Sequence, residues 1–272
     1  MVRDGQDAHA QAQSPEAGRL HARRVRLGRP ARLDAPELIF GTEFIVDRTP
    51  PEGGRLLVRA AEELGLTFWD TAPPYGSHPH VREGLRAVCR HEVQVASKTQ
   101  AADPGAAREA IAALAADLGT DYLDLAFVHI VKPGTLRDRL RALPGFVAAR
   151  DAGLTRAIGL STHSPSVVRA ASMVPEIDVI CATYNSCGLW FDEGSQEEMR
   201  AALVHAREAG KGVYIIKLLA HGQLATGPAE VEKALRFAFT SGVADAFNIG
   251  FHDLDEARAD LALLQTVRSP HG

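Results

Sequence analysis

The chain has 272 residues, 46% of them hydrophobic and 24% charged, the balance of a globular protein with a large core. Its formal charge of −4 leaves no basic excess for a nucleic-acid partner, and no uninterrupted apolar run of about 18 residues offers a membrane-spanning helix. Three cysteines, Cys89, Cys181 and Cys187, form no CxxC pair, so a reduced, cytoplasmic setting is expected.

Residues 1–33 are rich in arginine (Arg19, Arg23, Arg24, Arg26, Arg29, Arg32), with Asp4, Asp7 and Glu16 interspersed. Acids are unusual in a transit peptide, and no charged-then-apolar start marks a secretory signal. The expectation is a flexible or loosely packed basic segment over 1–33, ahead of a single domain over 34–272. From residue 36 onward, short β-prone apolar runs alternate with helical patterns. The strand-like runs are "PELIFGT", "LTFWDTA", "VQVASKT", "YLDLAFVHI", "AIGLS", "DVICATY", "GVYIIKL" and "ADAFNIGF". Between the third and fourth, "DPGAAREAIAALAADLG" places Asp103 to cap, Pro104 at the first helical position, and Ile111, Leu114, Ala115 and Leu118 at helical spacing. Eight strand-then-helix units predict a closed (β/α)₈ barrel, an α/β TIM barrel of one domain. An open doubly wound sheet would usually begin with a glycine-rich turn, and no G-x-G-x-x-G follows a strand here.

In such a barrel the chemistry sits at the C-terminal strand ends. Asp70 and Tyr75 follow the second run, held where Pro73, Pro74 and Gly76 stop strand and helix alike; Lys98 ends the third and His129 the fourth. Singly, each fits a buried ion pair or a satisfied core histidine. Four ionisable groups at one end of three successive strands are harder to explain by packing.

Along residues 25–265 the chain resembles the aldo-keto reductase family, in the manner of a divergent bacterial-type member. The segments that carry this are "LGLTFWDTAPPYGS", "VASKT", "DLGTDYLDLAFVHI", "GLTRAIGLSTHS" and Tyr184–Asn185. The resemblance implies reduction of an aldehyde or ketone with a nicotinamide cofactor. Tyr75 would be the proton donor, its ordinary pKa of about 10 eased by Lys98, with Asp70 balancing Lys98 and His129 orienting the carbonyl. It also implies a cofactor-binding set of Ser161, Thr162, Cys181, Ile216, Lys217, Leu219, Gly250, His252 and Glu256. Many members carry Asn, Gln and an aromatic residue where this chain has Thr162, Cys181 and Ile216. NADP is the family's usual preference, while Asp253, Asp255 and Glu256 make the last loop acidic, so NADPH and NADH both stay open; Asp253 and Glu256 also suit a helix-capping pair. Lys217 faces either the cofactor pyrophosphate or an acidic neighbour.

Two other readings use the same residues: a redox-free lyase or isomerase working through Tyr75, Lys98 and His129, and a dinucleotide-binding accessory protein. His129, His163, His221 and His252 fall at or beyond strand ends, but with no H-x-x-x-H or H-E-x-x-H element no metal site is expected. His78 and His80 read as loop residues facing solvent. Phe44, Ile45, Leu189, Trp190 and Phe191 are candidate walls of a pocket for a small-molecule carbonyl substrate. No heptads or long apolar surface helix stand out, so a monomer or simple homo-oligomer is expected.

Overall fold

The structure is a computed structural model that describes residues 20–29 and 33–268. It opens with a two-stranded antiparallel hairpin, β1 (Arg24–Leu27) and β2 (Leu33–Pro36). The barrel strands follow, alternating with helices: β3 (Leu38–Gly41), α1 (Pro50–Leu64), β4 (Phe68–Asp70), α2 (His78–Arg86), β5 (Gln94–Thr99), α3 (Pro104–Leu118) and β6 (Leu123–Val131). Two helices, α4 (Leu136–Leu140) and α5 (Leu143–Asp151), then lead to β7 (Thr155–Thr162), α6 (Pro165–Ser172), β8 (Val179–Thr183) and α7 (Gln196–Glu208). The chain ends with β9 (Gly212–Ile216), α8 (Pro228–Thr240), β10 (Ala246–Gly250) and α9 (Leu254–Arg268). The eight strands β3 to β10 are parallel neighbours in chain order, and β10 closes on β3. Six fall inside the expected apolar runs, while β6 runs one residue past "YLDLAFVHI" and β7 extends beyond "AIGLS" at both ends. Among the described residues no helix is long and apolar enough to cross a membrane.

Helix ends follow local chemistry. Proline opens α1, α3, α6 and α8, where its missing N–H costs no hydrogen bond, and the Asp103 side chain accepts the Ala106 N–H at 3.0 Å to cap α3. Gly65 and Gly119, both at φ +71°, end α1 and α3 in the left-handed conformation that glycine adopts without strain.

Two apolar layers hold the barrel. One lies between strands and helices, and the other fills the barrel itself with Ile39, Phe68, Leu125, Phe127, Val179 and Tyr214. Leu27, Leu33 and Ala35 of the hairpin belong to this inner layer, and Arg29 N donates to Gly210 O at 3.0 Å just before β9 begins. The hairpin therefore plugs the N-terminal end of the barrel. This corrects the expected boundary at 33/34: residues 24–27 pair in register with 33–36, and Leu27 is fully buried. The part of the expected flexible segment before residue 20, with residues 30–32, lies outside the described residues.

Leu27→Ala is expected to lower unfolding stability by about 2–5 kcal/mol, because a cavity in the plug has no side chain free to refill it. Urea denaturation checks this, and an unchanged midpoint would mean that the hairpin does not seal the inner layer.

Candidate active site

The turn after β4 is built to stop. Pro73 and Pro74 lead a single 3₁₀ turn, Gly76 at φ +71° closes it by donating to Pro73 O, and Tyr75 is left at the barrel mouth. Lys98 projects inward from β5 and forms an ion pair with Asp70 at the end of β4, both all but completely buried. Lys98 Nζ also donates to Thr71 O at 3.0 Å and reaches the Tyr75 hydroxyl at 3.5 Å. Burial works most strongly against the Lys98 ammonium, but the Asp70 charge and hydrogen bond, together with smaller influences from Tyr75 and Cys181, outweigh it and raise the lysine pKa above its ordinary value. The second Asp70 oxygen accepts the hydroxyl of Tyr214, which crosses the barrel from β9. Tyr214 is not among the residues expected from sequence, although strand alternation from Ile216 points it inward. Its reach depends on Gly159: a Cβ there would meet the Phe127 ring at 2.3 Å, and Phe127 in turn packs edge-to-face against Tyr214.

The expected easing of Tyr75 by Lys98 is present but does not prevail. Burial pushes the phenol up to about 12, with the Lys98 charge the largest opposing influence. His129, on β6, bonds through Nδ1 to Ser161 Oγ at 3.1 Å, and the same hydroxyl oxygen accepts the Ile130 N–H at 2.9 Å. Burial and then the Lys98 charge take the His129 pKa down to about 3, so its imidazole is neutral. His163 repeats the arrangement one loop further on, its Nδ1 bonded to Thr183 Oγ1.

Together these side chains line one end of a cleft of about 1160 Å³. The cleft runs from Tyr75, Lys98 and His129 past Ile216 and Lys217 into the crevice between α8 and α9. Of the expected cofactor set, Ser161, Ile216, Lys217, Leu219, Gly250, His252 and Glu256 line it. Thr162 and Cys181 do not. The Thr162 hydroxyl donates to Val131 O at 2.7 Å and accepts the Ser164 N–H at 3.1 Å, tying down the loop after β7. Cys181 is sealed inside the barrel, where burial and the Asp70 charge push its thiol up to about 12.

The floor of the cleft is made by absence. Gly41 and Gly250 are paired at the ends of β3 and β10; a Cβ on Gly41 would meet Asn248 Oδ1 at 2.5 Å, and one on Gly250 would meet Phe44 at 2.3 Å. The space admits Asn248, which is 8% exposed, lines the cleft and has no hydrogen-bond partner for its side chain among the described residues. Above the floor, rings from four loops meet in a row. Trp190 lies beside His221, His221 beside Phe44, and Phe44 stacks on His252 at 5.3 Å. The Trp190 indole donates to Ala220 O, and Lys217 Nζ sits over its ring at 4.9 Å with no carboxylate among the described residues within ion-pair distance. Every non-glycine residue with positive φ among those described (Ile130, Trp190, Lys217, Ala220, His221) is at this mouth, where such strain often accompanies function. Of the expected walls, Phe44 lines the cleft while Ile45 is fully buried in the core. His78 and His80 are buried in α2, bonded to Asp117 and to Arg48 O, which corrects their expected place in a solvent-facing loop.

The sequence profile of the aldo/keto reductase family matches residues 37–253, which takes in all eight barrel strands. The chain belongs to that family. An aldo-keto reductase from Mycobacterium ulcerans (strain Agy99) is 35% identical over 131 residues, 45% of this chain and 46% of the relative, so the chain matches under half the length of that protein. One from Mycobacterium sp. (strain JLS) is 30% identical over 193 residues, 67% of each chain. The holo form of an aldo-keto reductase from Bacillus halodurans shares the fold at a TM-score of 0.74 and 21% identity, over 90% of this chain and 91% of that one. In this member of the family Asp70, Tyr75, Lys98 and His129 meet at one end of the cleft, while Thr162 and Cys181 lie outside its lining.

Tyr214→Phe is expected to cost about 1–3 kcal/mol, since one oxygen of a buried carboxylate loses its donor. Chemical denaturation measures the loss, and stability equal to wild type would show that Asp70 does not depend on the β9 hydroxyl.

Proposed function

We propose that the chain is a nicotinamide-dependent carbonyl reductase acting on a small aldehyde or ketone, with Tyr75 as the proton donor. The observation that carries this reading is the Tyr75 hydroxyl 3.5 Å from an ammonium held charged by a buried carboxylate, at the mouth of the cleft. A phenol pushed up to about 12 is fully protonated at neutral pH, which suits an acid that must hold its proton until the carbonyl oxygen gains charge. The Lys98 ammonium then lowers the cost of leaving a phenolate behind. With the Ser161 hydroxyl donating to Nδ1, His129 carries its hydrogen on Nε2 and offers it to the carbonyl oxygen; a neutral imidazole does this without competing for the proton.

A bound nicotinamide dinucleotide supplies the hydride. The cleft fits such a group, because it is larger than the usual pocket of about 300–1,000 Å³ for drug-sized ligands and keeps the buried Asn248 amide without a protein partner among the described residues. Ile216 offers an apolar wall, Lys217 a cation for the pyrophosphate, and Ser161 a polar contact near the reacting end. Because Thr162 and Cys181 face elsewhere, Ser161 and Asn248 are the polar contacts assigned to this chain.

Tyr75→Phe is expected to reduce turnover by roughly 10²–10⁴-fold while leaving cofactor quenching of tryptophan fluorescence in place. Turnover near wild type would sink the assignment. With the phenol at about 12, the wild-type reduction rate is expected to stay level from about pH 6 to 9. A steep fall over that range in stopped-flow reduction would assign the proton to a different group.

A further inference from the structure

The mouth of the barrel divides into two halves. On the reading just proposed, the dinucleotide lies along the side of β9 and β10, past Ile216 and Lys217 into the crevice between α8 and α9. The loops after β4, β5, β6 and β7 are left to the carbonyl compound, so the side chains they present decide which one is admitted.

Charge on this side is unevenly matched. Gln100 directly follows β5, the strand of Lys98, and its side-chain oxygen accepts Arg139 at 2.9 Å, a bond that bridges the ends of β5 and β6. Arg139 is half-buried, and it has no carboxylate partner among the described residues. The other cations nearby are matched: Lys98 by Asp70, and Lys132 by Asp192 at 3.6 Å. Asp138 precedes Arg139 in α4, but adjacent helix positions do not face one another. Held by a neutral amide, the guanidinium keeps its charge and further N–H donors for another acceptor. That charge reaches the reacting end, since Arg139 adds to burial, Lys98 and His163 in lowering the His129 pKa.

His163 follows β7 and lines the same cleft as His129. Its Nδ1 is bonded to the Thr183 hydroxyl, as that of His129 is to Ser161. With the Thr183 hydroxyl donating, Nε2 carries the hydrogen, and Nε2 has no partner among the described residues. The charged groups felt at this ring are Lys217, Asp192 and Lys132; burial, then the Lys217 charge, holds its pKa below the ordinary value, so the imidazole is a neutral donor. Half-buried in a cleft, such an N–H is suited to a ligand oxygen.

We infer that this aldo/keto reductase selects carbonyl compounds that also carry a carboxylate, with Arg139 supplying the charge that attracts it and His163 an N–H to one of its oxygens. A guanidinium fork matches the two oxygens of a carboxylate, and hydrogen bonds between charged partners are roughly twice as strong as neutral ones. A neutral compound of the same shape gains no such attraction. This inference rests on the proposed carbonyl-reductase function.

The test compares 3- and 4-carboxybenzaldehyde with their methyl esters, which keep the ring and the aldehyde and remove the charge. Oxidation of NADH and of NADPH is followed with the full wild-type chain and with Arg139→Gln, Arg139→Lys and His163→Phe, each shown to be folded by circular dichroism. The expected result is a kcat/KM for at least one acid about tenfold or more above that of its ester, a gap that shrinks as salt is raised from about 0.01 M to about 0.5 M. Arg139→Gln is expected to narrow the gap to roughly threefold or less, Arg139→Lys to keep most of it, and His163→Phe to narrow it in part. Esters reduced as well as the acids by the wild-type chain overturn the inference and leave the proposed function standing. A gap unchanged in folded Arg139→Gln or His163→Phe overturns the assignment to that residue, and reduction of none of the four compounds with either dinucleotide overturns the proposed function together with the inference.

Discussion

Everything at the mouth of this barrel depends on one buried carboxylate. Asp70 is 1% exposed, and an anion so placed is tolerable only if each oxygen finds a donor. One oxygen takes the Lys98 ammonium from the adjacent strand, and the other takes the Tyr214 hydroxyl from across the barrel. The arrangement fixes the ammonium beneath Tyr75, and its charge helps to keep His129 neutral. A missing side chain on β7 therefore bears on the ion pair: Gly159 makes room for Phe127, Phe127 packs against Tyr214, and Tyr214 completes the partners of Asp70.

The barrel was legible because its signal is periodic and local. Each of the eight β-prone runs overlaps one strand, with ends that differ by a residue or two, and Asp103 caps α3 as its position before Pro104 suggests. Asp70, Tyr75, Lys98 and His129 were legible for a related reason: polar side chains that interrupt apolar strands at the same end are costly unless they have partners. What stayed hidden depends on partners distant in sequence. The β1–β2 hairpin consists of two four-residue strands in an arginine-rich stretch, and its apolar side has meaning only against the barrel bottom. His78 and His80 sit in a segment punctuated by prolines, yet Asp117 and the Arg48 carbonyl draw them into the interior. Thr162 aligns with a cofactor contact, but its hydroxyl is committed to Val131 O. Asn248 and Asp260 look unremarkable in sequence; what distinguishes them is a side chain with no protein partner among the described residues, placed in a cleft.

Backbone as well as loops shapes the cleft. Paired glycines at the ends of β3 and β10 lower its floor, and helices α8 and α9 extend it well beyond the reacting residues. Its two ends carry different chemistry as a result. Near Tyr75 lies a compensated ion pair, while the carboxylates of Glu256 and Asp260 line the far end.

The row of rings over the cleft has a mechanical consequence. Trp190, His221, Phe44 and His252 come from four separate loops and meet through contacts worth about 0.5–1.5 kcal/mol each, far softer than the ion pair below them. Stiffness is thus graded with depth: the ion pair beneath Tyr75 is clamped, and the ring-lined rim above it is compliant. Such a rim can shift without disturbing the charges underneath, so compliance and rigidity belong to different storeys of the same barrel.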